Sequence, residues 1–123
     1  MKIIDAINTI DTLKHNTYTQ TDKLAWLSTL DSMVKRQIID THEGADAVTF
    51  NGYDDSTDMD TELLVEAPFD EMYLRWLEAQ IDYTNGEYGK YNNAILMYNT
   101  TFTAYKNHYN RTHKPLGESF KFF

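Results

Sequence analysis

Residues 68–115, "PFDEMYLRWLEAQIDYTNGEYGKYNNAILMYNTTFTAYKNHYNRTHKP", decide how this chain reads. Leu74, Leu77, Ile81, Thr84, Tyr88, Tyr91, Ile95, Tyr98, Phe102, Tyr105 and Tyr109 follow one another at alternating spacings of three and four. That spacing returns to one side of a helix every two turns, so it predicts a heptad seam with tyrosines as its knobs. Tyrosine and asparagine are middling to poor helix formers, yet residues 88–111 hold five of each and no proline. The seam accounts for the tyrosines. A second row, Asn85, Asn92 and Asn99, runs one residue on and is expected to bond the phenolic hydroxyls, since buried tyrosines need such partners.

Asn85-Gly86 interrupts the stretch and leaves two alternatives. It is a turn between two antiparallel helices, or a weak spot within one long helix. The heptad phase survives the pair, which favours a single helix kinked there. Unbroken, about 42 residues would span roughly 63 Å and would need neighbours to pack against. Pro68 is expected as a first helical residue, with Asp70 and Glu71 in the first turn.

Upstream, residues 2–14 place Ile3, Ile7, Ile10 and Leu13 at helical spacing. Thr19 and Thr21 are candidate N-caps for a second helix over residues 22–42, ended by Gly44. Its stripe is Leu24, Leu27, Val34 and Ile38, flanked by Trp26, Leu30 and Met33. Asp31 falls in the middle of that stripe. It either pairs with Lys35 one turn on at the margin of the buried face, or is buried against a basic residue of another helix or subunit.

Residues 43–67 hold eight acidic residues and no Lys or Arg. They read as a long acidic surface loop, within which "AVTF" and "ELLV" could pair as a short β-hairpin. Loops of this length in compact domains tend to be functional or disordered. Residues 112–123, with Pro115 and Gly117, cannot continue a helix and form an extended C-terminal tail. Its apolar and basic residues, Lys114, Pro115, Leu116, Phe120, Phe122 and Phe123, are expected to dock on a partner. The fold class is all-α: a small helical bundle over residues 1–111, with the tail outside it.

A chain of 123 residues is one domain by size. No apolar run is long enough to span a membrane, and the N-terminal residues do not read as a signal peptide. With no cysteine, disulfides and thiolate metal sites are excluded, which fits a chain made in cytosol. A net charge of −8 opposes sequence-independent DNA binding, which relies on Lys and Arg neutralising phosphates.

No catalytic constellation emerges, and neither a cofactor nor a metal is expected. His15, His42, His108 and His113 are scattered without a chelating spacing. "DDSTDMDTE" lacks the glycine a calcium loop requires. Glu71, Arg75, Glu78 and Asp82 have the spacing of a solvated helix face.

With "WLSTLDSMVKRQIIDTH" (residues 26–42), the segment at 68–115 resembles the head-to-tail connector (adaptor) proteins of tailed phages infecting Firmicutes and related gut bacteria. "WLEAQIDYTNGEYGKYNN" is its most distinctive part. The resemblance covers residues 22–115 and carries no catalytic motif. It implies a mostly helical subunit in a ring, twelve-fold to match the portal, located in the virion neck after synthesis in the host cytoplasm. One face of the ring meets the portal protein and the other the stopper or tail-completion protein, while DNA passes through without specific binding. The tail would reach the portal, and residues 43–67 would face the next ring. Trp26, Asp31, Trp76, Tyr88, Tyr91, Tyr98, Phe102, Tyr105 and Tyr109 are the candidates for packing within and between subunits, with Tyr105 to Tyr109 shared between them. Two other classes compete. One is an acidic inhibitor or DNA mimic, which needs carboxylates spread at phosphate-like spacing; the other is a small helical enzyme.

Overall fold

The computed structural model describes residues 1–116. Its helices are α1 (Ile3–Leu13), α2 (Gln20–Gln37), α3 (Glu71–Thr84) and α4 (Tyr88–Thr112). Local chemistry sets several of their ends. Thr19 caps α2 by accepting the Asp22 N–H, and the Asp22 carboxylate returns the bond to the Thr19 N–H, a reciprocal arrangement that satisfies two orphan donors. A single 3₁₀ turn, Ile39–Thr41, follows α2, and Gly44 at φ +86° redirects the chain. Pro68 is not a first helical residue. It lies in the turn before α3, whose N-cap is Asp70.

Asn85-Gly86 is a turn and not a kink. Glu87 N–H donates to Asp82 O (2.9 Å) and Gly86 N–H to Tyr83 O (3.0 Å), the paired bonds of a Schellman helix end. Gly86 takes φ +79°, a left-handed conformation that costs other residues roughly 1–2 kcal/mol. The heptad phase therefore does not report one continuous helix. The chain reverses, and the side of α3 that meets the α4 tyrosines carries Trp76 and Tyr83, with Phe69 just before the helix. None of these is a seam residue, while Leu74 lies beside Ile10 and Leu13 of α1. Trp76 lies against Tyr98 with ring centroids 5.1 Å apart, and Phe69 against Tyr105 at 5.6 Å. Folding back covers these rings; a straight rod would leave them without a partner inside the subunit.

α3 is the middle layer. α1 and α2 pack against it and each other, whereas α4 packs against α3 and no other helix. The core is Ile3, Ile7 and Ile10 of α1, Leu24, Leu27, Leu30 and Val34 of α2, and Met72, Tyr73, Leu77 and Ile81 of α3. Trp76 ties the layers, donating its indole N–H to Trp26 O at 2.8 Å while its ring meets α4.

No strand forms among the described residues, which show only isolated bridges at Lys2–Glu62 and His42–Pro115. The expected hairpin fails because the amides of residues 63–65 find other acceptors. Leu63 donates to Met1 O, Leu64 to Asp31 and Val65 to the Tyr73 hydroxyl.

The turn yields a signed test. Gly86→Ala is destabilising by about 1 kcal/mol, the left-handed backbone alone being responsible, since a Cβ there meets nothing within 4 Å. Gly89→Ala, in the first turn of α4 and equally uncrowded, stabilises by about 0.5 kcal/mol. Urea unfolding of both variants measures the two signs. Equal effects would mean that Asn85-Gly86 is not a glycine-dependent turn. Tyr105 is 1% exposed, and Tyr105→Ala is expected to cost about 3–5 kcal/mol by the same measurement.

Candidate functional site

Asp31 sits on the apolar face of α2 and is 0% exposed, so it lies inside the core and not at its margin. Neither expected cation reaches it. Lys35 pairs with Asp40 instead. The Asp31 carboxylate accepts three hydrogen bonds: from the Tyr73 hydroxyl at 2.6 Å, the Tyr53 hydroxyl, and the Leu64 N–H at 3.2 Å. The Tyr73 oxygen in turn accepts the Val65 N–H at 2.8 Å. Burial pushes the Asp31 carboxyl above its ordinary range, and the three hydrogen bonds work against that rise. Burial, reinforced by the Asp31 charge, also raises the Tyr53 and Tyr73 hydroxyls.

This network pins the acidic segment to the core. Ser28 Oγ accepts the Tyr53 N–H at 3.0 Å, and Thr21 Oγ1 donates to Asp55 at 3.1 Å. Further on, Ile4 N–H donates to Met59 O and Ile3 N–H to Thr61 O, both at 3.0 Å. Asp54, Asp55, Asp58, Asp60 and Glu62 are consequently exposed on a chain held against α1 and α2.

Of the other packing candidates, Tyr98, Tyr105 and Tyr109 are buried in the subunit's own core, and burial raises all three hydroxyls. Tyr105 and Tyr109 are therefore filled within the subunit, contrary to the expectation that neighbours share them. The exposed end of the seam is the opposite one, where Tyr88 is 59% exposed. Trp26, Trp76, Tyr91 and Phe102 are half-buried. Asn92 and Asn99 are exposed and bond no tyrosine among the described residues; Asn85 alone accepts a phenol, that of Tyr18. The row fails because a residue one step from a two-helix seam points out to solvent.

Asp82 is not part of a solvated face. It is 1% exposed and accepts from Lys14 Nζ at 2.8 Å, while the exposed Glu71 and the half-buried Glu78 flank a half-buried Arg75.

The C-terminal segment leaves the bundle at a fixed place. Glu43 N–H donates to Lys114 O and Leu116 N–H to Thr41 O, both at 2.8 Å. Between them His42, 2% exposed, lies with Nδ1 2.6 Å from Ile38 O and Nε2 2.7 Å from Asn110 Oδ1. Lys114, Pro115 and Leu116 are thus fastened to the subunit, with Leu116 still 55% exposed. Phe120, Phe122 and Phe123 lie outside the described residues.

Sequence reasoning missed Tyr53, Tyr73 and His42. An acid inside an apolar stripe signalled a buried acceptor, but its donors stand 22 and 42 residues away. Among the described residues no group of three His, Cys, Asp or Glu could hold a metal ion, and no helix is long and apolar enough to cross a membrane. No protein-family model, no curated protein and no solved structure matches the chain.

Two variants test the Asp31 network. Tyr73→Phe removes a donor to the carboxylate and the acceptor of the Val65 N–H, and is expected to cost about 1–3 kcal/mol. Because the folded carboxyl is raised above 3.8, Asp31 favours the folded state fully below that value. The advantage is lost as pH rises through the raised folded value. Asp31→Asn is therefore expected to flatten the fall in stability above about pH 4, measured by urea unfolding across a pH series. An unchanged slope would show that Asp31 keeps an ordinary acidity in the fold.

Proposed function

We propose that this chain is a structural virion protein, a head-to-tail connector (adaptor) subunit that assembles as a ring between the portal and the stopper or tail-completion protein of a tailed phage. The observation that carries the reading is the disposition of α4. This 25-residue helix is folded onto one side of α3, begins within the most distinctive stretch of the resemblance (residues 76–93), and leaves its outer face open for a neighbour. Two further features support it. Residues 114–116, which lead to the tail of the resemblance, are fastened to residues 41–43 of the subunit. The net charge of −8 suits a wall past which DNA moves without sticking, since like charge disfavours binding. The protein acts by shape and assembly, with the buried network keeping each subunit rigid.

Mixing with the portal protein of the same genome, followed by sedimentation, tests the reading. The full chain is expected to co-sediment as a ring complex. Deleting residues 117–123 is expected to abolish that attachment with helicity unchanged, because the clamp at His42 and Pro115 is retained. Undiminished attachment after deletion would remove the tail from the docking role. A full chain that ignores the portal but displaces DNA from a basic protein would favour the acidic-mimic reading.

A further inference from the structure

The outer face of α4 has no partner among the described residues, and its composition is not that of a solvent face. Residues 91–105 contain no charged side chain, whereas the solvent side of an amphipathic helix ordinarily carries many. Asn92, Asn93, Asn99 and Thr100 are exposed there, around Leu96 at 65% and Met97 at 47% exposure. Asparagine and threonine add little to helix stability, so helix formation does not explain their choice. Loss of charge at the centre of a patch is what distinguishes a protein interface from ordinary surface. Lys90 and Lys106 bound this uncharged stretch, Arg111 follows, and α4 contains no acid. Lys106 and Arg111 pair with no carboxylate among the described residues, Lys90 only with Glu87.

The complementary surface is carried by the same chain. The eight acids of residues 43–67 equal the entire net charge of −8, because the other 11 acids match the 11 Lys and Arg. Of Asp54, Asp55, Asp58, Asp60 and Glu62, only Glu62 has a cationic partner among the described residues, the N-terminus of Met1 at 3.4 Å. These carboxylates are held along α1 and α2, and neither helix packs against α4. The acidic strip and the α4 face therefore occupy different layers of one subunit, where they do not meet.

We infer that the outer face of α4 receives the acidic strip of a second copy of this chain. The uncharged centre around Leu96 is buried at the contact, and the cations at its margins meet the carboxylates. Because two different surfaces join, the contact is head-to-tail and repeats from copy to copy, closing into a ring where the rotation allows. Closure rests on the connector reading; the contact itself requires only two copies. The acidic strip is thereby assigned to the joint between neighbours and not to the next ring.

Reciprocal charge reversal tests the contact, read by sedimentation velocity at low and high salt with folding checked by circular dichroism. The native chain is expected to self-associate at low salt and to dissociate as salt screens the charges. Lys106→Glu/Arg111→Glu and Asp55→Lys/Asp60→Lys are each expected to weaken self-association about 100-fold or more, like charges then facing each other. An equimolar mixture of the two variants is expected to recover it, since each supplies the surface the other lacks. A native chain that stays monomeric at every concentration reached overturns the proposal, as does a mixture that fails to recover. Binding of a short DNA duplex that is lost in Lys106→Glu/Arg111→Glu also overturns it, giving the face to nucleic acid. The two levels remain separable on the portal. Variants that still form normal rings there overturn this contact and leave the connector reading standing. Reciprocal recovery in a chain that never binds portal supports the contact and overturns the connector reading.

Discussion

The buried carboxylate of Asp31 is the constraint on which the rest of the subunit depends. An ionised group in an apolar core is expensive unless its acceptor capacity is used, and among the described residues no cation pairs with it. The solution is three donors drawn from separate segments: Tyr53 and Leu64 from the long connection and Tyr73 from α3. One side chain of α2 thus determines where a connection without regular structure must lie, and fixes α3 against α2. Such a network is costly when partly satisfied and specifying when complete. It is complete, since no buried side-chain polar atom among the described residues lacks a partner.

With α3 fixed, the hairpin at Gly86 has one side left to occupy. α1 and α2 already cover one face of α3, so α4 lies against another and touches no other helix. This makes α4 both core and surface. Its inner side buries Tyr98, Tyr105 and Tyr109, completing the aromatic layer with Trp76 and Phe69. Its outer side is left uncovered by the described residues. The far end is secured separately, by the approach of Asn110 to His42 and by the backbone bonds that tie residues 114–116 to residues 41–43.

The charge distribution follows the same layering. Carboxylates that would repel one another in a random coil are gathered on the one connection that Asp31 and Ser28 hold in place. The cations of α4 stand in another layer. A subunit with two unlike, mutually attractive surfaces on separate layers is suited to repeated assembly, and a ring connector is the reading that uses both.

The sequence by itself determined the helices and their chemistry. Period and capping identify α1, α2 and the helical character of the stretch that holds α3 and α4, and the all-α class follows, because these signals are local and act within a few residues. It also marked Asp31 as anomalous and residues 43–67 as a single acidic connection. Only the tertiary structure decided what these features meet. Helical periodicity on both sides of Asn85-Gly86 fits one kinked helix as well as two helices, so the reversal at Gly86 depended on whether folding back could cover the tyrosines. The donors to Asp31 and the acceptors for residues 63–65 come from distant segments, and such pairing leaves no periodic trace in the chain. Burial and hydrogen-bond satisfaction chose those partners, and in choosing them decided which face of α4 was left open.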